Sequence, residues 1–409
     1  MGRGHMTASS YLNLFHDRAY VYEPLPNPRA QIRLLKISYQ GQYPWQSSNA
    51  SRFDWGKLLC NLTVHDIDSC PEYVAISYTW GETEQSRSIE LDNKLHRIFR
   101  NCFDVLQLAH YHYKDWLIWI DAICIDQENS IERGDQVRLM GKIFALGKEV
   151  AACLGPSGQD ADLVLGVLAS MSSGQCRAIS DSERTLVSRF KDRAYWTRLW
   201  IVQECLSAEY LRFICGPHKV KATDLEWIVD NSQPLGLTQT WMHDLLDTCL
   251  FQDDSEGEWG LSDLLYRFSD RHCADPRDCI YGLMSVLPGT EVTEIEVDYG
   301  IALPLLARSV MLALPDWNPI MHSWSVRACP SDAIEAMLYA LGLVPYGMSC
   351  TKVAFSLCGT VEDIERLSRK YDREHAFGPD AGFPIYELAI RRLVELETLS
   401  GKRLIDAHW

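Results

Sequence analysis

The chain has 409 residues and a formal net charge of −16, with 39 basic side chains against 55 acidic ones. It is too long for one simple hydrophobic core, so two domains, or one domain with large additions, are expected. The acidic balance disfavours a protein that binds the phosphate backbone of nucleic acids, because such a protein needs a basic face.

The cysteines and the hydropathy indicate a reducing compartment and no membrane span. The 14 cysteines are dispersed and none forms a C-x-x-C pair, so we predict reduced thiols and no metal site. No run reaches the ~18 apolar residues that a transmembrane helix needs. Residues 1–10 lack the apolar stretch of a signal peptide and are predicted to be a tag or disordered. The predicted location is the cytoplasm.

Short apolar runs alternate with segments of helical periodicity through the first half of the chain. The predicted strands are 32–37, 57–64, 73–78, 88–91, 94–98, 116–120, 150–154 and 210–214. Helices are predicted at 101–113 and 135–146, a loop at 122–134 and a helical insertion at 160–190. Asp92 and Asn93 are predicted to form a hairpin turn. Strands buried on both faces that alternate with helices are typical of an α/β fold with a parallel sheet.

Changes in composition suggest how the chain is divided. Residues 11–70, with strands separated by Pro and Gly, are predicted to form a small N-terminal β extension, and residues 71–217 the main α/β domain. Residues 218–409 are predicted to be mostly helical. The helices predicted there are 224–231, 238–251, 261–268, 279–286, 303–314, 331–341 and 384–399. Asp275 and Pro276 are predicted to begin the helix at 279–286, as its N-cap and first-turn residue.

One edge of the predicted sheet collects polar and aromatic side chains. Ser77 and Tyr78 end one buried strand, Thr79 and Trp80 follow it, and Asp121 follows the next buried strand. Ligands of parallel sheets bind outside the carboxyl ends of the strands. We therefore expect these five residues to share one rim.

A carboxylate and an indole are predicted to lie together on one helix. Trp200 and Glu204 are four residues apart, and this spacing places them on the same helix face. Two interpretations stay open from the pattern alone. Glu204 is either a half-buried carboxylate held by a nearby arginine such as Arg198, or a group kept in a partly dry cleft for chemistry on a ligand.

Three blocks of the sequence together resemble the fungal heterokaryon incompatibility (HET) domain. They are Y-V-A-I-S-Y-T-W-G at 73–81, W-I-D-A-I-C-I-D-Q at 119–127 with E-R at 132–133 and Q-V at 136–137, and R-L-W-I-V-Q-E at 198–204. The resemblance covers about residues 71–216. The strand at 32–37 and the segment D-P-R-D-x-x-Y-G-L at 275–283 resemble what flanks that domain.

HET domains are in turn similar to TIR domains, which implies a TIR-like (flavodoxin-like) parallel sheet flanked by helices. In NAD-cleaving TIR domains the glutamate of W-x-x-x-E is catalytic, and it corresponds to Glu204. The resemblance thus implies NAD or a related nucleotide as substrate, with no permanently bound cofactor. Thr79 and Trp80 stand where TIR domains of the animal type often carry basic residues.

The resemblance implies that Glu204 holds a ribose hydroxyl and stabilises positive charge that develops at the ribose. Trp80 and Trp200 would form apolar walls, although packed core indoles are an equally good interpretation. The other candidate ligand contacts are Ser77, Tyr78, Thr79, Asp121, Arg133 and Arg198. A backbone hydrogen bond for Ser77 and a loop-capping role for Asp121 remain as structural alternatives.

For the cell, the resemblance implies an effector of fungal non-self recognition and cell death, acting through self-association or with a sensor protein. The main alternative is a non-catalytic TIR-like oligomerisation or signalling module. Nucleic-acid processing is disfavoured by the net charge of −16.

Overall fold

The computed structural model describes residues 19–43, 56–81, 86–167, 180–238, 240–250, 260–284, 286–287, 295, 297–314, 330–344, 350–358, 363 and 366–367. The predicted tag at 1–10 and the predicted helix at 384–399 lie outside these residues. The chain divides into two compact units. The first comprises residues 1–196 and 204–250, and the second comprises residues 197–203 and 251–409.

Among the described residues, the first unit begins with five successive strands, and helices separate most of the strands that follow. The strands are β1 (Gln31–Gln40), β2 (Lys57–Asp66), β3 (Tyr73–Tyr78), β4 (Ser86–Leu91), β5 (Lys94–Phe99), β6 (Leu117–Trp119), β7 (Glu149–Cys153), β8 (Leu211–Cys215) and β9 (His218–Lys221). The α-helices among the residues that the structure describes are α1 (Arg100–Tyr113), α2 (Asp121–Cys124), α3 (Ser130–Leu146), α4 (Gln159–Ala161), α5 (Asp181–Lys191), α6 (Trp200–Leu206), α7 (Glu226–Asp230), α8 (Ser232–Leu235), α9 (Trp241–Leu250), α10 (Leu261–Phe268), α11 (Asp278–Met284), α12 (Leu303–Ala313), α13 (Pro330–Ala340) and α14 (Cys350–Ser356).

The strands described in the first unit form one mixed sheet in the order β5-β4-β2-β1-β6-β3-β7-β8-β9. Its centre is a parallel block of β6, β3, β7 and β8. Counted along the chain, the strands of this block lie in the order second, first, third, fourth. All six residues of β3 are buried, as predicted for a strand covered on both faces. The prediction of an α/β fold with helices flanking a sheet is confirmed.

The predicted N-terminal strands are confirmed, and they belong to the same sheet as the parallel block. β1 pairs with β2 over ten residue pairs, from Gln31 opposite Asp66 to Gln40 opposite Lys57. On its other side β1 pairs antiparallel with β6. β1 is therefore an interior strand of the sheet.

The hairpin turn at Asp92 and Asn93 is confirmed. Both residues have positive φ values, 50° and 63°, as a two-residue turn of type I′ requires. The strands on either side, β4 and β5, pair antiparallel from Ser86 opposite Phe99 to Leu91 opposite Lys94.

The loop prediction for residues 122–134 is wrong in part. Residues 121–124 form the helical turn α2, and α3 begins at Ser130, five residues before the predicted start. The strand β9 was not predicted, because its sequence H-K-V-K is short and mostly basic. Within the predicted insertion at 160–190, residues 162–167 form a π-helix and 181–191 form α5.

In the second unit, the regular elements described between residues 260 and 358 are all helices, as predicted. The N-cap prediction for Asp275 is wrong, because α11 begins only at Asp278. Asp275 instead accepts a hydrogen bond from the backbone N–H of Arg277, at 2.9 Å, and pairs with the guanidinium of Arg277 at 3.0 Å. Among the helices described here, none is both long and apolar enough to cross a membrane.

Candidate functional site

The carboxyl ends of β3 and β6 are joined by a hydrogen bond between two candidate residues. Trp80, which follows β3, donates its indole N–H to Oδ2 of Asp121 at 2.8 Å. The other carboxylate oxygen, Oδ1, accepts the backbone N–H of Ala122 at 2.6 Å and so starts the turn α2. Asp121 thus combines the two roles considered for it: it orients a side chain at the rim and it begins the next segment of chain.

The segment after β6 is fastened to the rim and to α3. Gln127 donates its side-chain amide to the backbone carbonyl of Asp121 at 2.8 Å. The backbone N–H of Asp126 donates to Oε1 of Glu132 on α3, at 2.9 Å. On the opposite side, the carbonyl of Thr79 accepts from the side-chain amide of Asn101. The candidate rim is therefore held by side chains from several elements.

Ser77 and Tyr78 point to opposite faces of the sheet, as neighbours on a strand do. The hydroxyl of Ser77 lies 2.6 Å from the hydroxyl of Tyr195. Burial raises the pKa of the Cys102 thiol on α1, and the hydroxyl of Tyr78 lies close enough to that thiol to oppose the rise. The side-chain partner of Ser77 is thus a phenol and not the backbone group considered above, and Tyr78 contacts a helix packed on the other face.

A buried polar cluster surrounds Tyr195. Its hydroxyl also lies 3.4 Å from the thiol of Cys205, which follows Glu204 on α6. All four side chains, those of Ser77, Tyr195, Glu204 and Cys205, are buried, and Glu204 is 3% exposed. We call these four residues the Tyr195 cluster.

The electrostatics of the Tyr195 cluster keep its phenol protonated. Burial raises the pKa of Tyr195 well above its usual value of 10.0, and the nearby Cys205 and Glu204 raise it further. A neutral phenol keeps its proton to donate in a hydrogen bond. The influence of Glu204 also shows that its carboxyl group lies within electrostatic reach of the Tyr195 hydroxyl.

The residues predicted from sequence to contact a ligand are divided between the two units. Arg133 is exposed on α3, next to the buried Glu132. Arg198 and Trp200 belong to the second unit, where Arg198 pairs with His272 in a parallel backbone bridge. Ser77, Tyr78, Thr79, Trp80, Asp121 and Glu204 belong to the first unit.

Sequence reasoning did not identify Tyr195. It lies in the segment A-Y-W-T, and nothing in the pattern distinguishes it from the neighbouring Trp196, which is equally buried. In the described part of the chain, no group of three or more His, Cys, Asp or Glu side chains is arranged to hold a metal ion.

The chain is similar to a known protein family and to a known protein. Residues 73–204 match the family described as Heterokaryon incompatibility protein (HET). The protein "Heterokaryon incompatibility protein 6, OR allele" of Neurospora crassa is 26% identical over 255 residues, which are 50% of this chain and 35% of the relative. The chain thus aligns with about a third of that relative's length. No solved structure matches the chain significantly.

Proposed function

We propose that this chain, whose residues 73–204 match the HET family, is a fungal HET-domain effector of non-self recognition and cell death that cleaves the nicotinamide–ribose bond of NAD. The cellular part is supported by the relative from Neurospora crassa, whose name is that of a heterokaryon incompatibility protein. The chemical part is supported by the surroundings of Glu204.

A TIR-like arrangement of the sheet is part of this proposal. The parallel strands β6, β3, β7 and β8 follow the order second, first, third, fourth, which agrees with the first four strands of the flavodoxin-like order. In such sheets ligands bind outside the carboxyl ends of the strands, where the strand order reverses. In this chain that place is the end of β3, which carries Ser77 and is followed by Trp80.

The observation that carries the proposal is the burial of Glu204, with its carboxyl group within electrostatic reach of the Tyr195 hydroxyl. Cleavage of the nicotinamide–ribose bond passes through a cation-like ribose. A carboxylate in a buried, low-dielectric position stabilises such a charge far better than a carboxylate in water.

One carboxylate suffices for this reaction. Nicotinamide takes the bonding electron pair and leaves as a neutral base, so the leaving group needs no proton. Water then adds to the ribose carbon and releases a proton, which yields ADP-ribose. In this scheme Glu204 holds a ribose hydroxyl and stabilises the cation.

The rim supplies an aromatic surface for the same ligand. The indole of Trp80 is held by Asp121 and is only partly buried, so its ring is oriented and accessible. An oriented indole presents a face on which a heterocyclic ring can stack. We assign Trp80 this role and Asp121 the role of holding it.

The decisive experiment measures nicotinamide release from NAD by the purified protein at high concentration. We expect Glu204→Gln to reduce the rate by about 100- to 1,000-fold, because an uncharged amide stabilises a cation poorly. The matched control is Glu209→Gln, the same change at an exposed position five residues further along. This control should retain the rate of the original protein.

The outcomes separate the alternatives. Equal rates for Glu204→Gln and the original protein, both folded, would exclude a catalytic role for Glu204. If the original protein releases no nicotinamide at any concentration, the result favours the non-catalytic oligomerisation or signalling module.

A further inference from the structure

We propose that Asp278, the last residue of the D-P-R-D segment, is a positioning residue that holds the indole of Trp200. Trp200 opens the W-x-x-x-E motif that ends at Glu204. The inference rests on the proposed function, because it gives this segment a part in the same reaction. From sequence, the segment is predicted to begin a helix, and it resembles what flanks the HET domain.

Two side chains approach the carboxyl group of Asp278 with a polar hydrogen. The hydroxyl of Tyr299 donates to Oδ1 at 2.7 Å. Burial raises the pKa of the Asp278 carboxyl group, and the Trp200 side chain helps to hold that pKa down, which places the indole N–H, the only polar donor of a tryptophan side chain, within reach of the carboxyl group. Asp278 is buried, so these donors replace water that the carboxyl group lost on folding.

The helix that carries Asp278 also packs against the Trp200 ring. A methyl group added at Gly282 of α11 would lie 3.7 Å from Cε3 of Trp200 and 3.4 Å from Cδ2 of Leu199. Both distances are ordinary van der Waals contacts, so one turn of α11 lies directly on this part of the motif. α11 thus lies close to the Trp200 ring, and Asp278 is on the same helix.

The backbone just before Trp200 forms hydrogen bonds with another segment of the second unit. The N–H of Leu199 donates to the carbonyl of His272 at 3.1 Å, and the N–H of His272 donates to the carbonyl of Thr197 at 2.7 Å. With the backbone fixed in this way, the orientation of the Trp200 indole depends on its own side-chain torsions. The hydrogen bond to Asp278 selects one of these orientations.

The segment that carries Tyr299 is anchored to α11 as well. The hydroxyl of Tyr281 donates to the carbonyl of Asp298 at 2.9 Å, and the rings of Tyr281 and Tyr299 meet edge to face with centroids 5.4 Å apart. Tyr299 is therefore placed to donate to Asp278. Asp278 receives one donor from this segment and one from the W-x-x-x-E motif.

The first test is a double-mutant cycle on nicotinamide release. We expect Asp278→Leu, which removes both acceptor oxygens at similar volume, to lower kcat by up to about 100-fold, because a misoriented group costs about that much. Asp278→Asn keeps one acceptor oxygen and should recover part of the rate. In a Trp200→Phe background, Asp278→Leu should cause no further loss. Losses that multiply in the double variant would overturn the proposal.

The second test needs no activity. In protein labelled with ¹⁵N-tryptophan, the indole resonance of Trp200 is the one that Trp200→Phe removes. We expect this resonance to shift and to lose protection from hydrogen exchange in Asp278→Leu. It should stay unchanged in Asp230→Leu, the same change at an exposed position of the first unit. A Trp200 resonance that Asp278→Leu leaves unchanged would overturn the proposal.

The two tests also separate this proposal from the proposed function. If the original protein does not release nicotinamide, the proposed function fails, and the Trp200 resonance still decides whether Asp278 holds the indole. If nicotinamide is released and Glu204→Gln abolishes the release, the double-mutant cycle decides whether Asp278 acts through Trp200.

Discussion

Arg33 and Glu132 form a bidentate ion pair between β1 and α3, and each of the two side chains is 3% exposed. Nη1 lies 2.5 Å from Oε1 and Nη2 lies 3.0 Å from Oε2. Arg33 also donates to the carbonyls of Cys124, at 3.1 Å, and Glu23, at 2.7 Å. This one arginine therefore links β1 to the segment that follows the candidate rim residue Asp121.

We expect single substitutions of this pair to be costly. Arg33→Met or Glu132→Gln should lower the free energy of unfolding by about 3–5 kcal/mol, because each leaves a buried charge without its partner. The double variant Arg33→Met/Glu132→Leu should lower the free energy of unfolding by less than either single change does, because it leaves no buried charge behind. Denaturant unfolding measures all three. A double variant as unstable as the sum of the singles would contradict this account.

A second ion pair that involves α3, in which only the arginine is exposed, provides the comparison. Arg29 pairs with Asp135 at 3.0 Å, but its side chain is 75% exposed. Arg29→Met should change the free energy of unfolding by less than about 1 kcal/mol, because water screens the exposed guanidinium and Asp135 keeps its ion pair with Arg138 at 3.1 Å.

The Arg33–Glu132 pair also makes stability depend on pH. Burial alone would raise the pKa of Glu132, but hydrogen bonds from Arg33 and Asp126 outweigh it and hold the pKa below the usual 4.5. A depressed pKa stabilises the fold above the unfolded value, and this contribution is lost as the pH falls through the folded value. The original protein should thus lose more stability than the double variant below about pH 4.5.

At the scale of elements, α3 shows how one side chain sets a boundary. Oδ1 of Asn129 accepts from the backbone N–H groups of Ile131 and Glu132, each at 3.2 Å. The first N–H groups of a helix have no partner within it, so this cap lets α3 begin at Ser130. The sequence N-S-I-E is typical of a helix start, because an N-cap residue is followed three positions later by a glutamate.

Replacing the N-cap residue Asn129 should lower the stability of the protein. Asn129→Ala should cost about 1 kcal/mol, because it leaves two helix N–H groups without their acceptor. Asn129→Asp keeps a side-chain oxygen at the same place and should retain most of the stability. Denaturant midpoints compare the two variants. Equal midpoints for Asn129→Ala and the original protein would show that the cap does not stabilise α3.

At the scale of the whole molecule, the sheet does not stop at the limits of the family match. β1 lies between β2 and β6, and β9 pairs with β8 from Arg212 opposite Lys221 to Cys215 opposite His218. A fragment limited to residues 71–217 would lack β1, β2 and β9. It would expose the edges of β6 and β8 and leave Glu132 buried without Arg33.

We therefore expect the fragment 71–217 to unfold without a cooperative transition or to aggregate, since exposed strand edges invite pairing between chains. The chain from residue 19 to 409 keeps all the elements described and should unfold cooperatively. Circular dichroism during urea titration, with size-exclusion chromatography, distinguishes the two. A sharp transition in a monomeric fragment 71–217 would show that β1 and β9 are dispensable.

A truncation that removes the C-terminal helices would also remove contacts outside those helices. A chain that ends at residue 217 also loses β9 and Asp278. Its activity would report the loss of those contacts together with any effect of the helices on the site. Point substitutions such as Asp278→Leu separate these effects.

The sequence by itself determined the parallel strands and the hairpin. A strand covered on both faces must be a continuous apolar run, and Y-V-A-I-S-Y is such a run in β3. Asp92-Asn93 predicts its turn because asparagine and aspartate tolerate positive φ better than most residues. The candidate Glu204 also came from sequence, through the helical spacing of W-x-x-x-E and its resemblance to a family.

Only the tertiary structure decided which groups these residues meet. Ser77 and Tyr195 are 118 positions apart in the chain, and the Arg33–Glu132 pair spans 99 positions. Local periodicity reports burial and helix or strand geometry within a few residues, so it carries no information about partners at such separations. The Tyr195 cluster, the place of β1 inside the sheet and the approach of α11 to Trp200 arise from packing between distant segments.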